Sequence, residues 1–260
     1  MTDDDPGRAA RRDARTNAYL RLVAPEGREA LKVGPFLATF HPSNDNPYVN
    51  YAIPDDDARP APSDIAAFVA EARRRGRKPR LEYAPLAAPA VETALLAAGF
   101  AVEMRPAFMT CDAPVALIPP PGFRARMVRE AGDLRAAAHV LDLAYAEHGQ
   151  PPMDDDERLM GFTSGGGGVA LATSAETGEV AGAGLFTAIA EGMTEVAGIG
   201  VAPAFRRRGL ASILAATLTG ETFRRGASLA FLTPGGDHAR RAYERAGFRA
   251  GGEMLMIGLA

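Results

Sequence analysis

Val201-Ala-Pro203-Ala-Phe-Arg206-Arg207-Arg208-Gly209-Leu210-Ala211 runs out of a strand-like segment, through three arginines and a glycine, into a long apolar helical pattern. The order is strand, loop, helix. A helix start leaves its first N–H groups unpaired and carries partial positive charge, so it can receive a diphosphate. Gly209 and Ala211 are small where a diphosphate would reach the backbone, and the arginines add positive charge. An ordinary basic helix start with a nearby glycine has the same composition, and the loop alone does not separate the two readings.

Outward from this loop the elements alternate in kind. Upstream lie a strand at 193–201, a hairpin of 169–174 with 180–189 across Ala175-Glu-Thr-Gly178, helices at 133–147 and 154–162, and a strand at 123–128. Downstream, the helix from Arg206 to Arg224 is followed by a strand at 229–232, a helix at 238–246 stopped by Gly247, and one or two closing strands at 248–259. Strands alternating with helices, plus an antiparallel meander, imply a mixed α/β sheet. Gly198 and Gly200 interrupt the strand before the loop, and glycine weakens a strand interior unless backbone must be approached closely or a bulge forms.

The first half reads in a related way. After a polar stretch at 1–15, expected to be mobile, come a helix near 16–31, strands at 35–41 and 48–53, a helix at 63–75, a strand at 80–84, a helix at 88–98, and a strand pair or one long strand at 101–110. Moved back by 148 positions, Ala246-Gly-Phe248 falls on Ala98-Gly-Phe100, the helix from Ser212 on that from Asp64, and Val201 on Ile53. The chain therefore reads as two related halves. Pro119-Pro-Pro-Gly122 is the expected boundary, with modules at 16–118 and 123–260.

Composition bounds the function. Of 260 residues 47% are hydrophobic and 23% charged, which is ordinary for a globular protein. A net charge of −3 gives no general attraction to nucleic acid or an anionic membrane. No apolar run approaches the roughly 18 residues that span a bilayer, and the charged N-terminus has no apolar core of a secretory signal. One cysteine, Cys111, excludes an internal disulfide or a multi-cysteine metal site. Cytoplasm is the expected address, and no metal is expected.

The loop resembles the R/Q-x-x-G-x-G/A signature of the GNAT superfamily of N-acetyltransferases, with Arg206, Gly209 and Ala211 at its fixed positions. It follows a strand ending in V-x-P and precedes a long apolar helix, as in that family. Ala239-x-x-x-Tyr243-x-x-x-Gly247-Phe248 resembles the helix that closes the family's site. Together the matches cover about residues 123–260. The resemblance implies a GNAT-like fold, a mixed and mostly antiparallel sheet flanked by helices, with acetyl-CoA as co-substrate. It places the cofactor against Ile199, Gly200 and Val201 on a splayed strand and against Arg206, Arg207, Arg208, Gly209, Leu210 and Ala211 in the loop. It also implies Tyr243 as general acid toward the departing thiolate, and Glu195, eleven residues before Arg206, as general base. The amides of Ile199–Val201 become the expected oxyanion donors. The sequence departs from the family at Gly236, where Asn is common; Asp237 is the available substitute.

Both catalytic assignments have plain alternatives: a core aromatic for Tyr243 and a solvent-facing carboxylate for Glu195. The repeat supplies a control. Glu195, Arg206, Gly209, Ala211 and Tyr243 fall on Pro47, Ala58, Ala61, Ser63 and Leu95, and the matching loop Asp55-Asp-Asp-Ala-Arg-Pro60 is acidic. The first half is expected to be a degenerate module without a cofactor. Among lesser signals, Asp154, Asp155, Asp156 and Glu157 read as a solvated helix start that could also attract a cationic amine. His148 reads as a surface residue, His238 as part of a helix start, Arg73–Arg80 as a solvated helix end, Ser164-Gly-Gly-Gly-Gly168 as a connector, and Cys111 as inert. The expected partner is a small-molecule amine, with neither nucleic acid nor membrane, and a homodimer is admitted. The rival readings are a protein lysine or N-terminal acetyltransferase and a non-catalytic acyl-CoA sensor.

Overall fold

A computed structural model describes residues 6–146 and 156–260. The chain divides into two compact units, Met1–Phe108 with Gly251–Ala260, and Met109–Ala250. In chain order the elements are α1 (Pro6–Val23), β1 (Glu29–Val33), β2 (Phe36–Phe40), β3 (Tyr51–Pro54), α2 (Pro62–Arg74), β4 (Arg80–Tyr83), α3 (Pro89–Ala97), β5 (Ala101–Met104) and β6 (Ala107–Cys111). They continue with β7 (Phe123–Met127), α4 (Ala131–Tyr145), α5 (Asp156–Ser164), β8 (Gly168–Ser174), β9 (Val180–Phe186) and β10 (Met193–Val201). The chain ends with α6 (Leu210–Arg224), β11 (Leu229–Leu232), α7 (Asp237–Arg245), β12 (Arg249–Glu253) and β13 (Leu255–Gly258).

The repeat is visible in the elements. Advanced by 148 positions, α3 coincides with α7 at both ends and the start of α2 with the start of α6. The two mixed sheets, β1-β2-β3-β4-β13-β5 and β12-β6-β11-β10-β9-β8-β7, have matching orders over six strands, and β7 is an extra edge strand of the second. The expected division at 119–122 is corrected by the strands. β13 lies between β4 and β5 in the first sheet, antiparallel to both, with Leu255 opposite Tyr83. β6 holds the matching place between β11 and β12 in the second, with Ala230 opposite Cys111. These two strands are equivalents under the repeat, and each completes the sheet of the other half. Backbone pairing and the alternation of faces are the same in either place, so the exchange leaves no mark on the pattern.

The N-terminus also differs from expectation. Helix α1 starts at Pro6, so much of the stretch expected to be mobile is ordered. Its inner face is Asp13, Thr16, Asn17 and Leu20, spaced for one side of a helix, and each is buried. Three of the four are polar, which hides the face from a reading by hydrophobicity. In the second unit, α6 lays Leu210, Ile213, Leu214 and Leu218 on one face of the sheet against Ala170, Phe186 and Val196. On the other face α4 packs Leu134, Ala137, Ala138 and Leu141 against Val169, Leu171, Ala183 and Leu185. Each buried leucine contributes about 1.5–3 kcal/mol, which fixes both helices firmly to β8–β10.

Candidate active site

The second sheet opens at its centre. Strand β10 pairs in parallel with β11 only from Met193–Leu229 to Glu195–Phe231, then runs on to Val201 with β9 alone as partner. Its register against β9 slips between Ala197 and Gly200, and Gly198 there has φ 57°, a left-handed conformation that glycine adopts without penalty. The expected bulge and the expected splay are both present. Past the bulge, the Ala202 amide donates to the Ala181 carbonyl. Alternation along the strand then turns the N–H and C=O of Gly200 toward β9 as well, and those of Ile199 and Val201 toward the gap. Of the three expected oxyanion donors, Gly200 is therefore turned away and the other two face the open side.

The gap leads to the start of α6. Pro203–Phe205 form one 3-10 turn, Arg206 is extended, and Arg207 (φ 64°) and Gly209 (φ 81°) are left-handed. The first bond into the helix runs from the Ile213 amide to the Gly209 carbonyl at 3.2 Å. Among the described residues, the amides of Arg207 to Ser212 find no acceptor. Six donors at a helix start suit a diphosphate. Arg206 plays a different part from the one expected: its Nε donates to the Val201 carbonyl (3.3 Å) and its Nη2 to the Ala144 carbonyl (3.1 Å). The guanidinium fastens the loop to α4. Arg207 is exposed, Leu210 is buried, and Arg208 lies over the rings of Phe123 and Phe205. A further cation outside the loop, Arg245 at the end of α7, reaches Ser212 Oγ at 3.2 Å beside the same helix start.

Two phenols lie near each other. Tyr243 on α7 is buried in the cluster on the α6 side of the sheet, 6.3 Å from the Phe248 ring. Burial, and secondarily the neighbouring Tyr145, hold its hydroxyl well above the usual tyrosine range, so it stays protonated at neutral pH. Tyr145, the last residue of α4, packs on the other side and donates to the Ile199 carbonyl at 3.0 Å. Burial raises its pKa too. In the sequence Tyr145 is marked only as an aromatic at helical spacing. Glu195 sits half-buried at the last rung before the strands part. Val196 points to the α6 cluster and Ala197 to the α4 cluster, so alternation puts Glu195 on the α4 side.

Comparison with known proteins agrees with this geometry. Residues 135–248 match the family described as acetyltransferase (GNAT). The C-terminal half has the GNAT fold. Among solved structures, a GCN5-related N-acetyltransferase from Kribbella flavida superposes with a TM-score of 0.76 at 27% identity, over 95% of this chain and 95% of that one. A second from Sphaerobacter thermophilus gives 0.63 at 19% identity, covering 98% and 93%. A tandem GNAT protein from the clavulanic acid biosynthesis pathway gives 0.62 at 13%, covering 98% and 95%, and shares the two-sheet fold. No curated protein matches the chain.

The first half has the GNAT architecture with its crevice filled. Pro60 and Pro62 flank the start of α2 and donate nothing, while the Asp64 carboxylate accepts the Ala61 amide at 2.8 Å. Asp55 pairs with Lys32, and Asp56 is gripped by both Nη atoms of Arg21 at 3.0 Å. Helix α1 bonds to the ends of both central strands. Arg21 donates to the Pro54 carbonyl (2.7 Å), Asn17 accepts the Ala84 amide (2.8 Å), and Asp13 accepts the Leu86 amide (3.1 Å). Under the repeat Pro54 and Ala84 match Ala202 and Leu232, the two sides of the open crevice in the second unit.

The remaining signals resolve unevenly. His148, Asp154 and Asp155 lie outside the described residues, and Asp156 and Glu157 open α5. His238 stands in the first turn of α7, and Asp237 is turned to its own Arg240 at 3.4 Å. Within 73–80, Arg73 and Arg74 are exposed as a solvated helix end should be, whereas Arg75 pairs with Glu71 and Glu29, Arg77 holds the His41 carbonyl, and buried Arg80 binds Glu82 and Glu103. Cys111 is buried in β6, where burial raises its pKa. No described helix is long and apolar enough to cross a membrane.

Proposed function

We propose that the second unit moves an acetyl group from acetyl-CoA to the amine of a small molecule, by direct attack in a ternary complex. The observation that carries this reading is the gap between β10 and β11, which runs into a helix start with six unpaired amides. A diphosphate fits the amides of Arg207–Ser212, and an extended arm fits along the gap-facing groups of Ile199 and Val201. The amine nitrogen attacks the thioester carbonyl and gives its proton to Glu195, directly or through a water. The Ile199 or Val201 amide supports the oxyanion. As the C–S bond breaks, Tyr243 protonates the thiolate. This chemistry draws on cytoplasmic acetyl-CoA, in keeping with the expected address.

The test is a screen of small amines with acetyl-CoA, read as thiol release, beside calorimetry with CoA. Thiol release with a subset of amines supports the proposal. Binding of CoA with no release toward any small amine, but with acetylation of peptides, would move the acceptor to protein. Binding with no transfer at all would leave a sensor, and no binding would remove the site.

A further inference from the structure

Tyr145 has no assigned part in the transfer, yet its hydroxyl ends on the one stretch of β10 that lacks a second strand. The Ile199 carbonyl points into the gap, where β11 no longer reaches it, and the Tyr145 hydroxyl is its donor at 3.0 Å. Peptide units here are trans and planar, so fixing the Ile199 carbonyl also fixes the Gly200 amide on its opposite side, toward β9. A bulge with a left-handed glycine at Gly198 has freedom to turn the next peptide, and the β10–β9 ladder is interrupted there. The hydroxyl supplies the missing restraint.

The ring itself is held tightly. A Cβ placed on Gly200 would come within 2.8 Å of Ala144 Cβ, 2.9 Å of Leu141 and 3.3 Å of the Tyr145 ring, so the last turn of α4 lies directly on the strand backbone. One residue earlier, the Ala144 carbonyl takes Arg206 Nη2, and Arg206 Nε holds the Val201 carbonyl. The end of α4 therefore grips β10 at Ile199 and, through Arg206, at Val201. Those are the two residues whose groups face the gap.

We propose that Tyr145 is a positioning residue of the transfer site, which sets the Ile199 peptide so that the gap-facing amides meet the acyl oxygen. This rests on the reading of the gap as the acetyl-CoA site. Tyr145→Phe keeps the ring and removes the hydroxyl. Turnover should fall at least tenfold while CoA affinity changes less than threefold, because the amides at the start of α6 are untouched. Since the hydroxyl holds a carbonyl and transfers no proton, the pH profile of the remaining rate should run parallel to the wild-type one. Tyr145→4-aminophenylalanine restores a donor at the same distance and should recover most of the lost rate. Amide exchange across 197–202, measured without any ligand, should quicken at least tenfold in Tyr145→Phe and return with the amino variant. Unchanged exchange together with unchanged turnover overturns the proposal. A shifted pH profile also overturns it, by making Tyr145 a proton donor itself. If the wild-type protein binds no CoA, the acetyltransferase reading fails, and the exchange measurement still decides whether Tyr145 holds the bulge.

Discussion

Tyr243 and Tyr145 come from helices on opposite faces of one sheet, yet lie close enough that the charge of one phenol affects the other, and the Tyr145 hydroxyl reaches Ile199, past the last rung where β10 and β11 pair. An intact sheet would separate them. Both hydroxyls are raised above the ordinary phenol pKa, mainly by burial, so both are protonated at neutral pH. An acid with a raised pKa is lost only above its ordinary value, here about 10. The wild-type turnover should thus show no fall from loss of the acid between about pH 7 and 10. Tyr243→Phe should lower turnover at least tenfold with CoA affinity nearly intact, since protonation of the thiolate develops only in the transition state. Full turnover in that variant would make water the acid.

Glu195 should fail in a different way. Glu195→Gln keeps the shape at the last rung of the β10–β11 pairing but cannot take the proton of the amine. Its rate should recover partly as pH rises toward the pKa of the acceptor, where free amine is already present. The Tyr243→Phe rate should not, because its missing donor becomes no easier to replace. Rate profiles from about pH 6 to 10 on one acceptor separate the two. A wild-type profile in Glu195→Gln would leave Glu195 as a bystander.

Gly209 combines two demands at the helix start. Its φ of 81° belongs to the left-handed region, where a β-branched side chain costs roughly 1–2 kcal/mol, although no atom lies within 4 Å of an added Cβ. Gly209→Val should lose stability by about that amount and lose CoA affinity at least tenfold. Gly209→Asn tolerates the conformation, so it should melt near the wild-type temperature and still bind CoA more weakly. Calorimetry and thermal unfolding on both variants check this. Wild-type affinity in the folded Asn variant would mean that the diphosphate does not sit on these amides.

One CoA per chain is the expected stoichiometry, because the first unit has filled its own crevice. Prolines, the Asp64 cap and helix α1 take the places that amides and open space hold in the second. Asp64→Ala should cost about 1 kcal/mol for the lost cap and create no second site. A titration of the wild-type protein that gives two sites of similar affinity would show the crevice to be open.

The path from β10 through the loop to α6 was legible because backbone requirements wrote it into residue types: glycines at the bulge, a glycine at the left-handed helix start, then leucines at helical spacing. Much of the rest was not, for physical reasons. Helix α1 buries Asp13, Thr16 and Asn17 beside Tyr19 and Leu20, so polar residues break the apolar signature of its inner face. The exchange of β6 and β13 was invisible because the two strands are equivalents with the same alternation. Arg206 matched a motif position, but the motif could not say that its guanidinium would bind backbone carbonyls. Tyr145 and Arg245 lie far from the loop in sequence, and only the fold brings them to it.

Asp13 offers a test of the ordered N-terminus that needs no ligand. It is buried in α1, accepts the Leu86 amide, and lies 3.9 Å from Arg12. Loss of hydration outweighs these favourable contacts, so its pKa lies above the ordinary carboxylate value. The sign follows from linkage. A group with a raised folded pKa contributes stability that is complete below the unfolded value, about 3.9, and is lost as pH rises through the folded one. Compared with Asp13→Asn, which does not titrate, the wild-type protein should therefore gain stability as pH falls through the raised folded pKa toward the unfolded value of about 3.9. The difference between the two should be flat below the unfolded value and again well above the folded one. Denaturant unfolding of both proteins at several pH values measures it. A difference that is constant across the range, or one that grows toward alkaline pH, would mean that the carboxylate is hydrated and that α1 does not pack as described.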